Sequence, residues 1–304
     1  MTDLSSRRTF LTAALPLAVS ALPPAAAKGK QVPVIDTHLH CFAGKDDRRF
    51  PYHARAPYRP DAAATPQRLL ELMKGAGVDH AIVVHPEPYQ DDHKYLEYCL
   101  DVGKKRLKGT CLVFADRSGS VDQLPALVKR LAVVAVRIHA YAPERLPPFG
   151  KPELRALWKK ATDLGLAVQL HFEPRHAPGF EPLIREFTDT RVIVDHLGRP
   201  FQGTPREHGV VVRWSRFKNV VMKLSAIPSE KEYPHRDIGP VVRQLADAYG
   251  ADRLIYGGGF GATATAESYR AARERVRGLV AHLSAADQAK ILGGNAATLF
   301  KFNA

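Results

Sequence analysis

The chain has 304 residues, 45% of them hydrophobic and 25% charged, with 44 Lys and Arg against 31 Asp and Glu for a formal charge of +13. Such values exclude a disordered tail, a collagen-like repeat and a low-complexity array. A basic excess suits nucleic acid, an anionic surface or an anionic small molecule, but no helix-turn-helix, zinc-finger or RNA-binding motif supports the first. Cys41, Cys99 and Cys111 are too few for a disulfide framework and match no Cys-rich metal spacing; whether two of them pair stays open. The 13 histidines are the more informative count.

In chain order, the first segment reads as an address. Ser6-Arg7-Arg8-Thr9-Phe10-Leu11 opens a weakly apolar run to Leu22, followed by Pro23, Pro24 and Ala25-Ala26-Ala27. A basic start, a short apolar run and a small-residue cleavage site make an export signal. The run is shorter than the about 20 apolar residues a membrane span needs. Adjacent arginines before Phe-Leu resemble the twin-arginine signal. Residues 1–27 are therefore expected to be removed after passage through the twin-arginine export machinery. Residues 28–304 would be a periplasmic or secreted domain with no stable membrane span.

From residue 32 onward, short β-branched runs predict strands near 32–37, 79–85, 109–114, 133–139, 167–172, 191–195, 219–225 and 253–257. They are nearly continuous apolar runs, as in parallel sheets buried on both faces. Between them, Leu124, Leu127, Val128 and Leu131, then Leu154, Leu157, Trp158 and Ala161, show helical spacing, with Gly165 at a plausible helix end. Eight strand–helix units predict a single (β/α)8 TIM barrel, for which about 250 residues is typical. An open doubly wound sheet is the alternative, weakened by the lack of a Gly-rich fingerprint after the first strand. Residues 41–65 read as a long loop, in which Tyr52, Arg55, Tyr58 and Arg59 are surface residues or reach the pocket.

Polar residues collect where the strands end, the catalytic face of a barrel. The ends read Asp36-Thr37-His38-Leu39-His40, His85, Arg137-Ile138-His139, His171-Phe172-Glu173, Asp195-His196 and Lys223-Leu224-Ser225. Alternation places His38 and His40 on one side, where two neutral imidazoles can share a metal. His171 and His196 end later strands. Taken singly, His85 and His139 read as hydrogen-bonded structural residues. Lys223 holds an anionic group or forms a buried ion pair. Cys41, next to His40, reads as packing because no activating base accompanies it.

Asp36-Thr37-His38-Leu39-His40, His171, Asp195-His196-Leu197-Gly198-Arg199-Pro200 and Ile291-Leu292-Gly293-Gly294-Asn295-Ala296-Ala297 together resemble the amidohydrolase-related metal-dependent hydrolases. More narrowly, they resemble the branch with pyrone-dicarboxylate lactonase and fuconolactonase. The resemblance spans nearly the whole domain and implies a TIM barrel that hydrolyses lactones or related esters and amides, some relatives decarboxylating acids instead. It implies that His38, His40 and His171 line the metal or carbonyl site, with His196 the strand-six histidine. It also places Arg137 where relatives hold a substrate carboxylate, a task suited to a bidentate guanidinium. Arg199 pairs with Asp195 or Asp36 as a structural residue.

One departure is large. Relatives end strand eight with Gly-Ser-Asp-Trp-Pro, and the Asp is a ligand, a base or both. Here Gly257-Gly258-Gly259-Phe260 puts Gly259 at that position. Three outcomes follow: a hydrolase with a substitute base, a metal-poor site, or a binding barrel without turnover. The expectation adopted is a hydrolase of a small carboxylated lactone or similar ester. His38, His40 and His171 hold one divalent metal, with zinc the expected ion, and Glu173 or His196 takes the proton, unless Glu173 is a loop carboxylate paired with Arg175. Arg137 and Lys223 bind the small anionic substrate. The same-family alternative is a decarboxylase.

Overall fold

The structure is a computed structural model that describes Met1 and residues 32–141, 145–228 and 237–302. Apart from Met1, the expected leader lies outside the described residues. From Val32 the chain forms one compact unit.

Eight strands run in chain order: β1 (Ile35–Leu39), β2 (His80–Val84), β3 (Leu107–Leu112), β4 (Val133–Ala140), β5 (Ala167–Phe172), β6 (Val192–Val194), β7 (Val220–Leu224) and β8 (Leu254–Tyr256). Each is parallel to the next, in the order β1 to β8 without reversal. A doubly wound sheet would reverse that order at a switch point. The seam between β8 and β1 is bridged by Thr37 Oγ1 donating to the Tyr256 carbonyl at 2.6 Å and by the Gly258 N–H donating to Asp36 Oδ1 at 2.7 Å. The chain is a single (β/α)8 barrel.

The helices α1 (Pro66–Ala76), α2 (Lys94–Gly103), α3 (Leu124–Arg130), α4 (Pro152–Asp163), α5 (Ala177–Glu186), α6 (Pro205–Arg213), α7 (Gly239–Tyr249) and α8 (Ala266–Leu279) follow the strands in turn. Their local signals are ordinary. Thr65 caps α1 by accepting from the Arg68 N–H, Pro66 opens the helix, and Gly77 ends it at φ 69°, the left-handed geometry that glycine adopts at little cost. On α4, Leu154, Leu157, Trp158 and Ala161 are all buried, as their spacing requires. No helix among the described residues is long and apolar enough to cross a membrane.

Period-two alternation builds the barrel interior in layers. Ile35, Ile82, Ala135, Ala167, Ile193, Val221 and Ile255 form the lower, apolar layer, closed from below by Ala296, Phe300 and Phe302. Two residues further along the strands the interior turns polar: Thr37, Arg137, Gln169, Asp195 and Lys223 are all buried. The first strand extends to Leu39, two residues beyond the predicted end. The His38 N–H leaves the ladder and donates to Asp36 Oδ1 at 2.9 Å, and the β1–β2 register shifts between Asp36 and Leu39. Such an irregularity re-aims a side chain, here His38. The loop after β1 is tied at its ends by paired hydrogen bonds between Phe42 and Ala64, 3.0 and 2.8 Å long. All three cysteines are free and buried.

Candidate active site at the mouth of the barrel

The buried polar layer has one hub, the Asp195 carboxylate just beyond β6. Oδ2 receives Arg137 through Nη2 at 2.8 Å and Nε at 3.0 Å, and Gln169 Nε2 at 3.0 Å. Oδ1 lies 3.1 Å from Lys223 Nζ and 3.4 Å from His38 Nδ1. Lys223 Nζ also donates to the Thr37 carbonyl at 3.0 Å and lies 3.4 Å from His38 Nδ1. Burial alone would raise the Asp195 pKa; Lys223 and then Arg137 more than reverse this, holding it well below the usual carboxylate range. Lys223 is pulled down by burial and supported by Asp195. The hub is an ionised carboxylate between two cations, the arrangement in which a buried charge is tolerated.

Beyond Asp195 the backbone does something unusual. His196, Leu197, Gly198 and Arg199 have φ of 55°, 57°, 68° and 54° in succession, and only Gly198 adopts this region freely. A non-glycine residue there costs on the order of 1–3 kcal/mol, and such residues cluster at functional sites. The turn is held by Gly198 N–H to Asp195 O at 2.9 Å, Arg199 N–H to His196 O at 2.8 Å, and His208 Nε2 at 2.7 Å from Leu197 O. Its effect is to send both His196 and Arg199 to the wall of one cavity.

That cavity, about 360 Å³ at the barrel mouth, is walled by His40, His139, His171 and His196, with Tyr58, Glu87, Tyr141, Arg137, Arg145 and Arg199 around them. Burial first pushes every imidazole down, His40 to about 4, His196 to about 3, and His139 and His171 well below their ordinary value. All four are neutral at neutral pH and able to accept a proton. His196 Nδ1 lies 2.9 Å from Ser225 Oγ, which leaves Nε2 for a substrate or water. Glu87, raised by burial against Arg145 and Arg137, takes the Tyr141 hydroxyl and Arg145 Nη1, the latter at 3.1 Å. Arg199 forms no ion pair among the described residues and lies 6.0 Å from the Tyr141 ring. A second cavity, about 370 Å³, shares the wall made by Glu87, His139 and Arg145.

The residues singled out in the sequence divide accordingly. His40, His171, His196, Arg137 and Tyr58 reach the cavity. Arg137 spends two donors on Asp195, and Lys223, 1% exposed, is absent from the wall, so both expected substrate cations are committed to the hub. Glu173 pairs with Arg175 at 2.6 Å instead of facing the mouth. Arg199, expected as structural, is the cavity's uncommitted guanidinium. His85 is structural, its Nε2 3.0 Å from Gln90 O, whereas His139 lines the mouth. Sequence reasoning missed Glu87. Its one signal was its place two residues after His85.

Gly259 has φ +122°, and a Cβ built there meets the Tyr269 ring at 2.6 Å and Ala272 Cβ at 3.1 Å. Position 259 thus faces α8, not the mouth. The acidic groups beside the imidazoles are Asp195 and Glu87.

Among the described residues one trio of donors lies within 4.8 Å, His38, Asp195 and His196. This differs from the expected His38, His40 and His171. His40 Nδ1 is turned to the Val84 carbonyl at 2.7 Å, and His171 Nδ1 faces His139 Nδ1 at 3.2 Å. Two imidazoles and a carboxylate suit zinc chemically. Their surroundings do not, because the Lys223 ammonium adjoins two of the three. As arranged, the trio does not fit a metal.

A nearly closed parallel barrel with imidazoles and buried carboxylates gathered at its C-terminal face defines a barrel hydrolase. The chain belongs to the amidohydrolase family, whose model matches residues 35–302. Over 247 residues it is 31% identical to the L-fucono-1,5-lactonase of Burkholderia ambifaria, covering 73% of this chain and 78% of the relative. In fold it is similar to a probable 2-pyrone-4,6-dicarboxylic acid hydrolase from Acinetobacter baumannii with citric acid bound. That match has a TM-score of 0.70 and 22% identity, over 88% of this chain and 99% of the other. It is also similar to an amidohydrolase from Burkholderia multivorans with bound zinc, at a TM-score of 0.68 and 16% identity, over 89% and 100% of the two chains.

Proposed function

We propose that the protein hydrolyses a small lactone bearing a carboxylate. The observation that carries this reading is the Arg199 guanidinium, free of any ion pair among the described residues and set in the same cavity wall as three neutral imidazoles, those of His40, His171 and His196. A guanidinium in a partly dry wall recognises a carboxylate bidentately, and the substrate carboxylate would seat there. The 31% identity to a lactonase supports ring opening as the reaction.

In this reading water adds to the lactone carbonyl, the ring C–O bond breaks, and a hydroxy acid leaves. His196 Nε2 takes the proton from the attacking water and returns it to the departing alkoxide. Arg137, Lys223 and Arg199 depress the His196 pKa after burial, so a bound carboxylate on Arg199 would restore basicity when substrate is present. Negative charge developing on the carbonyl oxygen is met by the Arg137 guanidinium, which lines the cavity. A preorganised positive field of this kind stabilises an oxyanion without reorganisation. The test is a panel of small lactones with and without a carboxylate, followed by proton release. A higher kcat/KM for the carboxylated members than for uncarboxylated lactones of the same size supports the reading. Carbon dioxide release from the corresponding acids, or ligand-induced stabilisation with no turnover, overturns it.

We also assign the chain to the periplasm or the secreted fraction, on Arg7-Arg8 and the apolar run behind them. Cell fractionation of the Arg7→Lys, Arg8→Lys variant tests this; unchanged export would exclude the twin-arginine route.

A further inference from the structure

We propose that the Lys223 ammonium is the resident cation of this barrel, occupying the place where a metal would join His38 and Asp195, and that the trio takes up no metal while Lys223 is present. The inference concerns the barrel floor and is independent of the lactone reading.

The geometry is nearly an equilateral triangle. Lys223 Nζ lies 3.1 Å from Asp195 Oδ1 and 3.4 Å from His38 Nδ1, and those two atoms are themselves 3.4 Å apart. A zinc ion sits about 2.1 Å from nitrogen and oxygen donors. Placed on both atoms, it would fall on a small circle around the line joining them. The triangle then puts it between about 1.5 and about 4 Å from Nζ. The near side is a collision. The far side sets a dication against a fixed ammonium in a layer from which water is excluded. If the metal took Asp195 Oδ1 and His196 alone, it would still lie within about 5 Å of Nζ.

Charge counting gives the same answer. Asp195 is the carboxylate of the layer and already faces two cations, Arg137 on Oδ2 and Lys223 on Oδ1. The imidazoles around it are neutral. Unlike charges at such distances in a buried layer are strongly coupled, and a dication would add two positive charges beside a carboxylate that already faces two cations. Lys223 has the contacts of a bound cation. It donates to Thr37 O at 3.0 Å and lies 3.1 Å from Asp195 Oδ1 and 3.4 Å from His38 Nδ1, so a carbonyl, a carboxylate and an imidazole nitrogen surround it. Lys223 is thus a positioning residue, holding His38 and Asp195 in register beneath His196.

The test measures metal, not turnover, so its failure is distinct from failure of the lactone reading. The purified protein, stripped with a chelator, is titrated with zinc and with cobalt(II), whose visible absorption reports tetrahedral binding. The wild type is expected to give no uptake that depends on His38. Lys223→Met, which removes the ammonium and keeps the length of the side chain, is expected to gain one equivalent of cobalt with visible bands, and His38→Ala in that background to lose it again. Lys223→Arg should remain metal-free. One equivalent of zinc bound by the wild type and lost in His38→Ala overturns the proposal, as does a folded Lys223→Met that stays empty. If Lys223→Met does not fold, the wild-type titration and Lys223→Arg decide: both empty upholds it, either one filled through His38 sinks it.

Discussion

The Tyr269 hydroxyl on α8 donates to Asp36 Oδ2 on β1 at 2.7 Å, across the seam where the first and last strands meet. The other oxygen of Asp36 takes the N–H groups of His38 and Gly258. One carboxylate thus ties α8, the tip of β8 and the His38 backbone together. Burial still raises its pKa to about 6, with the three donors opposing. The folded state therefore holds the Asp36 proton more tightly than the unfolded chain, whose carboxyl titrates near 3.8. On this account stability falls as pH climbs from about 4 to about 6, by about 3 kcal/mol in total. Tyr269→Phe removes the hydroxyl and leaves Oδ2 without a donor, at a cost of about 1–3 kcal/mol. Because that donor favours the ionised form, the cost should be larger at pH 8 than at pH 5. Urea unfolding at the two pH values decides it; an equal loss at both would count against the assignment.

Gly259→Asp should not rebuild the carboxylate that relatives carry on strand eight. The new Cβ would press on the Tyr269 ring, and the residue would sit at φ +122°, so a loss of about 1–3 kcal/mol is expected. Gain of hydrolysis or of metal uptake in this variant, with an unchanged melting temperature, would contradict the geometry.

Arg137 separates structure from recognition. Its removal leaves the buried Asp195 with Lys223 and the Gln169 amide as partners and one guanidinium fewer. Breaking a buried pair in this way costs about 3–5 kcal/mol, so Arg137→Leu should lose that much in equilibrium unfolding. A residue serving only to hold substrate would leave stability within about 0.5 kcal/mol.

Arg199→Ala should behave in the opposite manner. With no ion pair to lose, its stability should be little changed, while KM for a carboxylated lactone rises about 10- to 100-fold, the value of a charged hydrogen bond. A lactone of the same size without the carboxylate should be hydrolysed equally by both proteins. Equal loss on the two substrates would remove Arg199 from recognition.

The barrel was legible because its signal is local: continuous apolar strands at regular intervals, each followed by a helix-period segment. The imidazoles were legible for the same reason, since four of them end strands. The partnerships were not. Asp195 is paired with Arg137, 58 residues earlier, and Lys223, 28 later, and only barrel closure makes them neighbours. Arg137 therefore reads as a free cation, Lys223 as either free or paired, and Arg199 as bound, whereas the fold pairs the first two and leaves Arg199 without an ion pair among the described residues. Glu87 was hidden because a carboxylate after a strand is ordinary until Tyr141 and Arg145 close over it. Position 259 misled because the positive φ that turns it toward α8 leaves no trace in the residue type beyond glycine itself.

The left-handed run from His196 to Arg199 also constrains how this site can be altered. The His196 imidazole and the Arg199 guanidinium share one stretch of left-handed backbone, so a change that alters the backbone there, such as an insertion or a proline, disturbs the aim of both. New substrate preferences, whether sought by selection or by engineering, should therefore arise at Tyr58 and Arg145, which border the same cavity from outside that run. Libraries confined to those two positions should shift specificity while keeping the fold, and insertions or prolines within 196–199 should mostly yield inactive barrels.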